Sequence, residues 1–176
     1  MFKDWAIDRP LTSAIKALLA RLRPQRTLDR SYWTVSSASV DTLWQTIMNL
    51  ADVSWHPLLS STNAPNGLMP KPGLIYRAFT RICPIPVSIF VERVLPRELL
   101  TVRLFPVPGL EERVTYEIKS TVMGTQISYS VTLRGWLTPL AWSVLKPYAA
   151  RVASALADAA EQTSALGGRK PSSQLW

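Results

Sequence analysis

Cysteine, histidine and acidic side chains are scarce in this chain of 176 residues, which holds one Cys, one His and 12 Asp or Glu. A solitary Cys83 excludes an intrachain disulfide framework and a cysteine-based metal cluster, and it fits a reducing cytoplasm. A solitary His56 leaves no second imidazole for a zinc motif. No apolar run approaches the roughly 18 residues needed to span a bilayer, and no apolar h-region follows the first lysine. Neither a membrane span nor a secretory leader is expected. The chain also lacks a glycine loop that could cradle phosphate, a nucleophile elbow and a pair of carboxylates at a telling spacing. The expected cofactor is therefore none, and the expected metal is none. Internal repeats are absent, and low complexity is confined to the stretch Gly167-Gly168-Arg169-Lys170-Pro171-Ser172-Ser173.

What the chain has is ordinary globular material, 47% apolar and 18% charged, in a length that suits one buried core. The net charge is +8, and residues 1–30 carry half of that excess, with seven Lys or Arg against three Asp. A basic balance is compatible with nucleic acid, anionic lipid or plain solubility. Nucleic acid is disfavoured, because the aromatics sit inside apolar periodic runs instead of alternating with Lys and Arg. From Asp8 to Arg23, Leu11, Ile15, Leu18, Leu19 and Leu22 share one helical face flanked by Lys16, Arg21 and Arg23. Such a basic amphipathic helix over residues 8–23 either lies on an anionic membrane surface or packs on its own domain. Asp4, Asp8 and Asp29 count against a transit peptide. Pro24 ends the helix, making residues 1–30 an arm and linker, and residues 164–176 read as a flexible tail.

Between these ends the periodicity predicts a strand over Ser31–Ser37, a helix over Val40–Leu50 capped by Ser39 or Asp41, and a short helical turn over Asp52–Pro57. Strands then follow near Leu58–Asn63, Leu74–Arg81, Val87–Leu95, Leu99–Phe105, Glu111–Thr121 and Thr125–Trp136. Their connectors are too short for parallel crossovers, so the meander is antiparallel. In the last strand Ile127, Tyr129, Val131 and Leu133 alternate with polar residues, giving one dry and one wet face. A closing amphipathic helix over Thr138–Thr163 is expected, with Thr138 as its N-cap and a kink at Pro147. The predicted class is α+β, a curved antiparallel sheet wrapped around a long C-terminal helix.

Ser39-Val40-Asp41-Thr42-Leu43-Trp44 followed by Trp55-His56-Pro57 resembles the start of the SRPBCC superfamily. Val91-Glu92-Arg93-Val94-Leu95-Pro96, Gly124-Thr125-Gln126-Ile127-Ser128 and Arg134-Gly135-Trp136-Leu137 resemble its later landmarks in the correct order. The resemblance covers residues 31–163 and is closest to bacterial polyketide cyclase/dehydrase-like proteins. It implies the START-like helix-grip fold, and a family that includes lipid-transfer domains, pollen-allergen-like carriers, coenzyme-Q-binding proteins and cyclases. Carrier or sensor of a small hydrophobic ligand such as a lipid, isoprenoid or polyketide is the first function this suggests. A cyclase or dehydratase-like enzyme is the alternative, since fold does not dictate reaction. The expected partner is a small hydrophobic molecule, and the expected location is the cytoplasm, with peripheral membrane contact through residues 8–23.

A sheet gripping a helix encloses an apolar cavity. Candidate ligand-binding residues are Trp55, Tyr76, Phe90, Tyr116, Tyr129, Leu133, Trp136, Leu145 and Tyr148. The inward face for Tyr76 and Phe90 is open, because a one-residue slip reverses every assignment. If the protein is an enzyme, His56, Tyr116 and Tyr129 are the catalytic candidates: histidine titrates near neutrality, and tyrosine hydroxyls orient polar groups in a dry site. His56 equally suits a local capping role. Glu92 and Glu117 are alternative acid/base groups if buried. The strand arginines are expected on the wet face, and loops Ala64–Gly73 and Pro106–Gly109 are expected to rim the cavity mouth.

Overall fold

The computed structural model describes residues 26–83 and 85–167. Elements follow the order β1 (Thr27–Ser36), α1 (Val40–Met48), β2 (Leu59–Thr62), β3 (Ile75–Thr80), β4 (Val87–Leu95), β5 (Leu99–Val107), β6 (Leu110–Thr121), β7 (Gly124–Gly135) and α2 (Thr138–Gly167). All strand pairs are antiparallel, in the spatial order β1-β7-β6-β5-β4-β3-β2. The chain therefore lays down one edge, crosses through α1 to the opposite edge, and meanders back until β7 pairs with β1.

Strict alternation builds the sheet. Along β6 the buried residues Leu110, Glu112, Val114, Tyr116 and Ile118 share one face, and along β7 Ile127, Tyr129, Val131 and Leu133 do the same. The register sets Tyr116 opposite Tyr129, and Tyr129 opposite Tyr32. Against this face packs α2, whose Ala149, Val152, Ala153, Leu156, Ala157 and Ala160 are buried, joined by Leu43, Trp44, Ile47 and Met48 of α1. Alanine dominates the α2 stripe, and small side chains let the helix sit close to the sheet.

Side-chain hydrogen bonds hold the turn from β1 into α1. Ser39 caps α1, its hydroxyl accepting from the Thr42 amide at 3.1 Å. Glu161 of α2 accepts from the Ser36 hydroxyl and the Ser37 amide, each at 2.8 Å, and the Thr125 hydroxyl donates to the Ala38 carbonyl at 2.8 Å. These bonds hold the Glu161 carboxyl below its usual range, the Ser37 amide contributing most.

Several expectations change in detail. Thr27–Arg30, read as linker, belongs to β1 and pairs with Val131–Arg134. Residues 52–57 form turns, not a helix. Thr138 lies inside α2, and its hydroxyl donates to the Arg26 carbonyl at 3.1 Å instead of capping the helix. The helix runs unbroken through Pro147 to Gly167, so the two-piece helix is not found: its neighbours continue the hydrogen bonding around the one amide that proline lacks. The amphipathic segment 8–23 and residues 168–176 lie outside the described residues.

Candidate ligand-binding site

Between the concave face of the sheet, α1 and the first turns of α2 lies a cavity of about 390 Å³. Its walls are almost entirely apolar: Ile47 from α1 and Leu50 just beyond it, Ala78, Ile89, Leu100 and Val102 from the sheet, and Leu145 from α2. Around the opening stand side chains that are apolar yet exposed, among them Ile85 and Leu140 at 64% and 65%. Pro106 and Val107, read as loop, belong to the end of β5 and help line it, whereas none of Ala64–Gly73 does.

Buried polar groups stand among these apolar walls. His56 is buried in the turn between α1 and β2, where its Nδ1 accepts from the amides of Leu58 and Leu59, each at 3.2 Å. A nitrogen that accepts twice bears no proton, so the neutral ring carries its proton on Nε2. That nitrogen lies 3.2 Å from the Tyr116 hydroxyl, to which it donates. Burial, reinforced by the positive charge of Arg81, pushes the imidazole down to about 4, so the neutral form prevails at ordinary pH. One ring thus bonds the local backbone, the capping role open to His56, and also meets Tyr116. Asp52 is not its partner; that carboxylate accepts from the Ser54 amide at 3.0 Å.

Tyr116 stands at the centre of an aromatic cluster. Its ring lies 5.3 Å from that of Tyr129 and edge-on to Trp55 at 6.3 Å, while Trp55 and His56 are 5.2 Å apart. Burial raises both Tyr116 and Tyr129 well above the ordinary phenol range and pushes Tyr76 up to about 12, so all three hydroxyls stay protonated. The Tyr116 oxygen receives the His56 proton and keeps its own proton to donate. The indole Nε1 of Trp55 is buried without a hydrogen-bond partner among the described residues.

One functional group escaped the sequence reading. Glu112 lies two turns of the strand pleat before Tyr116 on the same face of β6, is 6% exposed, and lines both the cavity and a small void against Leu145, Tyr148 and Val152 of α2. No hydrogen bond or ion pair from a described residue reaches its carboxyl, and burial pushes its pKa up to about 7. Period-2 alternation was the signal that could have found it: once Tyr116 is taken as inward, Glu112 is inward too.

The remaining candidates separate. Trp55, Tyr76, Tyr116, Tyr129 and Leu145 line the cavity. Tyr148 reaches only the adjoining void. Phe90 does not line the cavity, because Ile89 and Val91 take the concave face and alternation turns Phe90 to the other. Leu133 is fully buried in packing beyond the cavity wall, and Trp136 is 46% exposed, stacked over Gly109, where a Cβ would collide with its indole. Glu92 lies on the convex face, its Oε1 accepting from Arg103 at 2.7 Å and Arg113 at 2.8 Å. Glu117 pairs with Lys119 at 2.7 Å. Neither carboxylate serves the cavity.

Among the described residues no group of three or more His, Cys, Asp or Glu could hold a metal ion, and no helix is long and apolar enough to cross a membrane.

No family model and no curated protein sequence matches the chain. Solved structures do. Ara h 8.0201 aligns at a TM-score of 0.60 and 12% identity over 78% of this chain and 99% of that one. Norcoclaurine synthase from Thalictrum flavum aligns at 0.59 and 14% identity over 94% and 97%. The di-domain ARO/CYC StfQ of the steffimycin biosynthetic pathway aligns at 0.64 and 11% identity over 92% of this chain and 63% of that one. Identities this low speak for architecture alone. The chain shares with these structures the helix-grip fold, seven antiparallel strands curled against α2.

Proposed function

We propose that this protein binds a small hydrophobic molecule, such as a lipid, isoprenoid or polyketide, within its internal cavity and acts as its carrier or sensor. The observation that carries this reading is the cavity itself: about 390 Å³, walled mostly by aliphatic side chains, with few polar groups among them. The fold neighbours support it by architecture, and a norcoclaurine synthase and an ARO/CYC protein among them show that the same architecture also hosts enzymes. Organic extraction of the purified protein followed by mass spectrometry should identify a retained apolar molecule. Protein that takes up neither an endogenous molecule nor added apolar probes would overturn the reading.

A second reading is a cyclase or dehydratase-like enzyme with His56, Tyr116 and Tyr129 as catalytic groups. The contact between His56 and Tyr116 inside the cavity favours it. If turnover of a polyketide-like substrate is found, and His56→Ala, Tyr116→Phe and Tyr129→Phe leave its rate untouched, this assignment fails. We place the protein in the cytoplasm, in keeping with its single exposed Cys83. Peripheral contact with anionic membrane through residues 8–23 rests on their basic amphipathic sequence. Equal flotation with anionic liposomes after removal of residues 1–30 would sink it.

A further inference from the structure

The cavity's inner wall has an imbalance between hydrogen-bond donors and acceptors. The unpartnered indole N–H of Trp55 only donates. The Tyr116 oxygen already receives the His56 Nε2 proton, which leaves the phenolic proton to donate outward. The hydroxyls of Tyr76 and Tyr129 also lack a hydrogen-bond partner within the described protein, and both stay protonated. Glu112 stands among them with no cation among the described residues to neutralise it. Facing it are Tyr116 on its own strand, Tyr129 from β7, Tyr148 from α2, and His56, held neutral, from the turn before β2. Arg113, on the same strand, and Arg103, on the neighbouring β5, are committed to Glu92 on the opposite face of the sheet.

An ionised carboxylate in such surroundings is costly, and an amine seated on it would bury a second charge within apolar walls. A carboxylic acid, in contrast, supplies one more donor to a wall of donors.

We propose that Glu112, in its carboxylic-acid form, is the recognition group of the cavity, donating a hydrogen bond to a carbonyl oxygen at one end of an otherwise apolar, uncharged ligand. This rests on the cavity-binding reading and deepens it by naming the ligand's polar end. Trp55 and Tyr116 supply the further donors on the same wall. The burial that holds the Glu112 carboxyl near neutrality adds a consequence: binding of such a ligand weakens as pH rises and the donor proton is lost.

Three probes of one shape test this by calorimetric titration: 2-acetonaphthone, 2-ethylnaphthalene and 1-(2-naphthyl)ethylamine. At about pH 5.5 the ketone should bind about five- to tenfold more tightly than the hydrocarbon, the worth of one good hydrogen bond. At about pH 8.5 that preference should shrink, because most of the Glu112 is ionised. Glu112→Gln, which always donates, should keep the preference at both pH values, and Glu112→Leu should abolish it while still binding the hydrocarbon. If the hydrocarbon binds but the ketone shows no advantage, or the amine binds best and tightens with rising pH, the Glu112 proposal is overturned while the cavity reading stands. If none of the three binds, the cavity reading falls and takes this proposal with it.

Discussion

Replacing Glu112 by glutamine should stabilise the empty protein at alkaline pH and leave it nearly unchanged in mild acid. The carboxyl rises from an ordinary 4.5 to about 7 on folding, because the folded chain buries it without a charge partner. The folded state therefore binds more protons than the unfolded state between those values, and stability falls as pH climbs through that window. A shift of this size corresponds to roughly 3 kcal/mol lost in full above the folded value. For a domain of this length that is a melting temperature higher by roughly 6–12 °C for Glu112→Gln than for the parent at alkaline pH. His56 has the opposite sign. Its imidazole falls from 6.5 to about 4, so the unfolded state binds the extra proton, and stability is lost as pH falls through that range. The two slopes offset each other in the parent between the mid-fours and mid-sixes, which is why the difference between variant and parent is the quantity to measure. Reversible urea unfolding of both proteins at about pH 5 and about pH 8.5 gives it directly. A difference that does not change with pH, or a parent more stable than the variant at the higher pH, would refute the claim that Glu112 is buried and unpartnered.

Three more outcomes follow from the same geometry. Tyr116→Phe removes the acceptor of the buried His56 N–H and should cost about 1–3 kcal/mol in urea unfolding, with an unchanged midpoint counting against the pair. Ala78→Leu should place added carbons in the cavity, since Ala78 is fully buried and lines it; apolar probes should bind at least tenfold more weakly while the circular dichroism spectrum stays that of the parent. Gly135→Ala should destabilise by more than about 2 kcal/mol in thermal melts, because φ is +133° there and a Cβ would collide with the Gly109 carbonyl.

The order of elements, the antiparallel meander and the long closing helix were all legible from periodicity, because alternation and the 3.6-residue repeat are local properties of the chain. So was the inward direction of Tyr116 and Tyr129. Glu112 was equally within reach by its parity with Tyr116, and was overlooked because a charged residue breaks an apolar pattern without announcing which face it takes. Tertiary structure alone decided the rest. Whether Tyr76 or Phe90 faced the ligand depended on how β3 and β4 pair, where one residue of slip exchanges the faces. The contact of His56 with Tyr116, 60 residues apart, and the pairing of Arg103 and Arg113 with Glu92, which leaves Glu112 without a cation among the described residues, exist only in the folded sheet. Sequence determined which side chains share a face; the curvature of the sheet determined which face closes over a cavity, since enclosure is a property of the packed layers and not of any one strand.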